Sequence, residues 1–259
     1  MKKFAQLFRC LDETTKTNEK ISFLVEYFEA SKPEDVVWAV SFLTGRKPRQ
    51  IVPAKKLRVW SAELANIPDW LFEESYYSVG DLAETITLLL PQSNVSTDIP
   101  LHKWVEDKLL PIRDKSDAEQ KEEIISAWQQ MNNDERFVWN KLITGGFRVG
   151  VSSKLVERAI AKFSGVNEAV IAHRLMGKWS PTKNFYKELI SGETGDANIS
   201  RPYPFYLAYQ LDDKIESLGD IKDWQAEWKY DGIRSQLIKR KGEVFLWSRG
   251  EELLYEKFP

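Results

Sequence analysis

The chain has 259 residues, of which 42% are hydrophobic and 29% charged, with a formal net charge of -2. That length holds one large domain or two ordinary ones, and the composition excludes wholesale disorder and, with Cys10 as the single cysteine, a disulfide framework. A charge this close to zero also excludes a polyanion-attracting field over the whole molecule, so any nucleic-acid surface must be a local patch.

The opening segment, Met1 to Glu13, is not a signal peptide, because Gln6, Arg9 and Asp12 interrupt its apolar residues. Apolar runs such as Ile86 to Leu90 are far too short to span a bilayer. A soluble, cytoplasmic chain with no membrane partner is expected. Cys10 sits in an apolar helical pattern and reads as a buried, inert thiol.

From Lys2 to about His173 the dominant period is helical. Phe4, Leu7, Phe8 and Leu11 fall on one helix face, and Ile21, Leu24, Tyr27 and Phe28 repeat the pattern. The stretch from Ser31 to Asp35 predicts a helix start, with a capping hydroxyl, an early proline and acids in the first turn. That helix should stop near Gly45. Further helices are predicted over 82–90, 104–110, 118–131, 135–143, 154–163 and 168–175. The segment 191–204, with its Gly, Asn, Ser and Pro, reads as a linker. Beyond it, 224–230, 232–240 and 243–249 read as strands, and Lys241-Gly242 as the hairpin turn between the last two. Three strands cannot enclose a core. The expected fold is therefore mainly α: a helical domain over 1–200, then the first strands of an α+β domain over 201–259, cut short.

The most informative residues run from Glu227 to Arg234: Glu-Trp-Lys-Tyr-Asp-Gly-Ile-Arg. Four fixed residues in the order Lys-x-Asp-Gly-x-Arg arise by chance in roughly one chain of this length in several hundred. In isolation, Asp231-Gly232 could be a simple hairpin turn beside a solvated lysine. The full stretch resembles the nucleotidyl-transferase signature of ATP-dependent DNA ligases, RNA ligases and mRNA capping enzymes. The resemblance implies that Lys229 is the catalytic nucleophile that takes AMP from ATP. A lysine with an ordinary pKa near 10.4 must lose its proton to attack phosphorus, which partial burial or nearby cationic charge favours. By the same resemblance, Glu227 lies near the adenine, and Arg234 contacts the ribose or phosphate. Ser248-Arg249 resembles the family's next motif, with Arg249 approaching the nucleotide; Gly250 stands where many relatives carry a polar residue. Trp228 and Tyr230 read as packing residues.

Upstream, the segment from Leu142 to Ser152 contains Gly146-Phe147-Arg148-Val149-Gly150, which resembles the Gly-x-Arg-x-Gly turn of the helical DNA-binding domain of larger DNA ligases. Its glycines would let backbone approach a phosphate, and Arg148 supplies a charged fork. Ser152 and Lys154 open a helix whose N-terminal amides suit an anion. Such contacts hold a duplex without reading sequence. The alternative is a connector with glycines for geometry alone. A basic stretch, Arg46, Lys47, Arg49, Lys55, Lys56 and Arg58, resembles another DNA contact of that domain. Gly80-Asp81-Leu82 matches a helix-start element of it, with Asp81 the starting carboxylate and Gly80 near DNA.

The resemblance covers essentially the whole chain. It implies a monomeric ATP-dependent DNA ligase acting on nicked duplex DNA, with ATP and Mg2+ as cofactors and the metal ligands beyond residue 259. The 259 residues alone are then expected to be a DNA-binding, ligation-incompetent part of a protein about twice as long. Two other readings stay open: a non-catalytic duplex-binding module, and an RNA ligase or capping-type transferase.

Overall fold

The apolar stripes read from the sequence become the buried faces of helices. The computed structural model describes the chain except residues 47, 49, 148, 176–178, 193–201, 204–214, 226, 229, 250–253 and 255–259, and the side chains of 169, 215 and 216. These residues form two units, Met1–Ile171 with Ser180–Gly192, and Ala172–Trp179 with Glu193–Pro259.

In the first unit, α1 (Lys2–Glu13) buries Phe4, Leu7, Phe8 and Leu11 against α2 (Thr17–Ala30), which buries Ile21, Leu24, Tyr27 and Phe28. Each such side chain, fully removed from water, contributes about 1.5–3 kcal/mol. Cys10 is half-buried rather than enclosed. The next helix, α3 (Pro33–Leu43), starts on Pro33, whose fixed φ suits a first helical position. The Ser31 hydroxyl does not cap it, because Lys32 occupies the cap position and makes no side-chain bond there. Three helices escaped the sequence reading or were read as other features: α4 (Ala54–Ala65), α5 (Asp69–Val79) and, later, α12 (Lys183–Ile190). Between them run α6 (Leu82–Leu89), α7 (Leu101–Lys103), α8 (Asp117–Gln129), α9 (Asn133–Thr144), α10 (Ser153–Ser164) and α11 (Glu168–Leu175). A π-helical turn over Trp104–Leu109 and a 3-10 turn over Leu110–Asp114 extend α7. Asp35 ties the start of this segment down, accepting from the His102 amide at 2.8 Å and facing its Nδ1 at 2.7 Å.

The central element is α9. Eight of its twelve residues are buried, and it packs on α1 and α6. Four of the eight are polar, and each has partners. Glu135 closes a capping box with Asn132 and accepts from Ser96 Oγ at 2.8 Å. Arg136 donates to the carbonyls of Trp128 and Pro91, and Asn140 accepts from Trp128 Nε1 at 2.8 Å. Lys141 pairs with Asp81. A buried polar group without such bonds would be costly, so these fix the helix's rotation as well as its position.

In the second unit, β1 (Ser235–Arg240) and β2 (Glu243–Ser248) form an antiparallel hairpin with Ile238 opposite Phe245. Lys241 and Gly242 both take positive φ, +50° and +85°, as a two-residue hairpin turn requires. Trp247 is buried, its ring 6.3 Å from that of His173. The third expected strand is absent among the described residues: 224, 225, 227, 228 and 230 form no ladder, since β1 and β2 pair with each other. Trp228 and Tyr230, read as packing residues, are 87% and 82% exposed. The protein is mainly α. Among the described residues no helix is long and apolar enough to cross a membrane.

Candidate nucleic-acid interface

The C-terminal end of α9 organises the site in the first unit. Gly145, at φ +69°, ends the helix, and the chain then enters the turn singled out in the sequence. Phe147 and Val149 turn inward and are buried, whereas Gly146 and Gly150 are exposed. The Phe147 ring stacks on Phe4 at 5.7 Å, meets Phe8 edge-on at 5.0 Å and lies 5.9 Å from Phe42. A loop of glycines is thereby fastened to the aromatic core of α1 and α3. Gly150 takes φ +61°, which other residues adopt only with strain. Its carbonyl accepts from Lys20 Nζ on α2 at 2.9 Å. Ser152 then caps α10, its hydroxyl accepting from the Leu155 amide at 3.3 Å, and Ser152 and Lys154 are both exposed.

Across from this turn, α3 ends in a Schellman motif. The Gly45 amide donates to the Phe42 carbonyl at 3.1 Å and the Arg46 amide to the Ser41 carbonyl at 2.8 Å. Ser41 Oγ returns a bond to the Arg46 carbonyl at 2.7 Å. Arg46 is half-buried, and desolvation lowers its pKa from the ordinary arginine value. The Ile51 amide donates to the Ile143 carbonyl at 3.1 Å, which ties the segment after α3 to the last turn of α9. The two turns flank an open groove of about 580 Å³, lined by Phe42–Gly45, Phe147 and Val149–Ser153. Gly150 and Ser152 line this groove, while Arg46, Gly146 and Lys154 each adjoin a lining residue in the chain (Gly45, Phe147 and Ser153). Lys47 and Arg148 lie outside the described residues.

A third turn joins the same helix. Gly80, at φ +78°, ends α5 and is exposed; Asp81 caps α6, accepting from the Glu84 amide at 3.0 Å. Lys141 of α9 donates to the same carboxylate. Burial would raise the Asp81 pKa, but the Lys141 bond and the Glu84 amide outweigh it and hold the carboxyl below its usual value. The basic stretch after Arg46 divides. Lys56 pairs with Asp117 at 2.5 Å, and Arg58 pairs with Glu73 at 3.0 Å while lying over the Tyr76 ring. Those two cations are engaged by their own fold. Glu123 of α8 likewise pairs with Lys115 at 2.6 Å.

Sequence reading missed Phe147, Lys20 and Lys141 as the groups that hold these turns. The signal existed for Lys20: with Leu24, Tyr27 and Phe28 it falls at i, i+4, i+7 and i+8, a lysine on an apolar stripe.

In the second unit, the Arg249 amide donates to the Arg234 carbonyl at 3.0 Å, extending the β1–β2 ladder by one rung. Two arginines of the nucleotide motifs therefore stand directly opposite each other. Like charges so placed repel, and an anion between them would relieve the repulsion. Glu227 is exposed and accepts from Gln225 Nε2 at 2.6 Å. Lys229 lies outside the described residues.

Residues 1–161 match the family model described as DNA ligase N terminus. The chain is 26% identical over 272 residues to a probable DNA ligase of Koribacter versatilis, covering 100% of this chain and 46% of that protein. It is 27% identical over 285 residues to a DNA ligase of Nitrosopumilus maritimus, covering 98% and 47%. With a DNA ligase of Methanothrix thermoacetophila it shares 33% identity over 121 residues, 46% of this chain and 22% of the relative. The chain spans about half the length of the first two of these relatives. By the match over its first 161 residues, the chain belongs to the DNA ligase family, as an N-terminal portion.

Proposed function

We propose that this chain is the duplex-gripping and nucleotide-accepting front half of an ATP-dependent DNA ligase that seals nicks. The observation that carries the first part is the groove lined by Gly45, Gly150 and the Ser152–Ser153 helix start, whose lining residues are followed or preceded in the chain by Arg46, Gly146 and Lys154. Exposed glycines, a helix N-terminus and cationic side chains are what phosphate oxygens require, and none of them distinguishes one base pair from another. That suits a protein whose substrate is a break rather than a sequence. The helical domain disfavours an RNA ligase or capping-type reading. Gly80, Lys47 and Arg148 are proposed as further phosphate contacts. We assign residues 1–200 to the DNA-binding domain and 201–259 to the start of the adenylation domain.

Lys229 is the proposed nucleophile. Its Nζ, once deprotonated, forms an N–P bond to the α-phosphorus of ATP while the bond to the β-phosphate oxygen breaks and pyrophosphate leaves. Arg234 and Arg249, on one rung, suit the negative charge of the bound phosphate, and Glu227 suits the base. The facing arginines fit a nucleotide. As the resemblance implies, Mg2+ would be held mainly by residues following 259. When bound, the ion would neutralise phosphate charge. The exposed Trp228, Tyr230 and Leu237 are surfaces that the remainder of a larger sheet would cover.

The test is incubation with α-labelled ATP and Mg2+ of this chain and of a chain extended to the relatives' full length. Label on the extended protein that disappears in Lys229→Ala is the expected result. Absence of label on both would overturn the ligase mechanism and leave duplex binding alone.

A further inference from the structure

We infer that Lys20 is a positioning residue for the duplex-binding turn: its buried ammonium holds the Gly150 carbonyl and so sets the entry to α10. This rests on the proposal that the turn binds DNA. Lysines are almost never fully buried without a partner, yet Lys20 is 7% exposed and stands among Ile21 and Leu24 on the inner face of α2. Its partner among the described residues is no carboxylate but the Gly150 carbonyl, 2.9 Å away. A neutral, apolar residue would fill the site without the desolvation penalty of a cation. The ammonium therefore has to be explained by what it touches. It touches the residue where the chain reverses into the capped helix, with Ser152 and Lys154 following.

The fit is close. A Cβ added at Gly150 would stand 3.1 Å from Lys20 Nζ, and the +61° φ disfavours any side chain there. Glycine and lysine thus specify one another: the turn needs Gly150 so that the carbonyl reaches the ammonium. Lys20 does not line the groove itself. Its positive charge lies beneath the turn, and its effect on a bound duplex runs through the turn's geometry.

The experiment compares the unsubstituted chain with Lys20→Met, Lys20→Arg and Gly150→Ala, measuring affinity for a nicked duplex over a salt series alongside the thermal midpoint. Lys20→Met should weaken binding about tenfold, the size expected for losing one charge-assisted bond. Its thermal midpoint should stay level or rise, because an apolar side chain replaces a buried cation. Lys20→Arg should recover most of the affinity, and Gly150→Ala should reproduce the loss. A Lys20→Met affinity equal to the parent's would overturn the role, as would a loss that tracks unfolding or an arginine no better than methionine. So would a drop of about one in the slope of log affinity against log salt, since Lys20 would then itself contact phosphate. Absence of duplex binding by the unsubstituted chain would instead sink the DNA-interface reading.

Discussion

Two glycine turns in this protein are built in opposite ways. The hairpin turn at Lys241-Gly242 is local: two positive φ values join two strands that pair with each other, and Leu237 and Val244 nearby remain exposed. The turn from Gly145 to Ser152 is held from a distance. Phe147 reaches into an aromatic cluster on α1 and α3, Lys20 of α2 holds Gly150, and Ile51 pairs with the last turn of α9. Turn chemistry is enough to make a hairpin, whereas the turn proposed to meet phosphate is held by side chains far away in sequence. In the first unit the core and the proposed interface share the same residues.

The contrast can be broken most sharply at Phe147. Phe147→Ala should lower the unfolding free energy by about 3–5 kcal/mol, read by chemical denaturation with far-ultraviolet circular dichroism. A loss under 1 kcal/mol would mean the turn is not anchored through this ring. A smaller effect is expected at Asp81, which loses a helix cap and leaves the buried Lys141 without its carboxylate. Asp81→Ala should cost about 1–2 kcal/mol at neutral pH, the carboxyl being partly solvated. Because the folded Asp81 pKa lies below the ordinary 3.8, its contribution is fully present above that value. It is lost as pH falls through the folded value, so parent and variant should converge in stability in strong acid. A gap that persists there would show that the cap's charge is not what matters. Smallest is Leu237→Thr on the exposed strand face, expected to change stability by no more than about 0.5 kcal/mol. A larger loss would mean that the hairpin packs on something, and would erase the contrast.

Legibility followed the range of the forces involved. The stripes of α1 and α2, the glycine stop of α3 and the Lys241-Gly242 turn were readable because each depends on residues a few positions apart. The helices α4 and α5 were not: α4 carries the basic residues that drew attention as a charge run, and α5 buries only Phe72. The same limit hid the partners of Lys56 and Arg58, since Asp117 and Glu73 lie on other helices. Residue type alone did not sort the ten tryptophans either: Trp70, Trp224 and Trp228 are exposed while Trp104, Trp128 and Trp139 are enclosed.

The sequence by itself determined the mainly helical class, the hairpin, and the residue types on which phosphate and nucleotide chemistry would depend. Periodicity, turn dihedrals and side-chain chemistry are local, and a single chain displays them. Only the tertiary structure decided that Gly45-Arg46 and Gly145–Ser152 flank one groove, that Arg234 and Arg249 share a rung, and that a buried lysine holds the turn between α9 and α10. Those pairings depend on which apolar faces meet when the core closes, a choice made by packing and by the cost of leaving buried charged groups such as Glu135, Arg136 and Lys141 without partners.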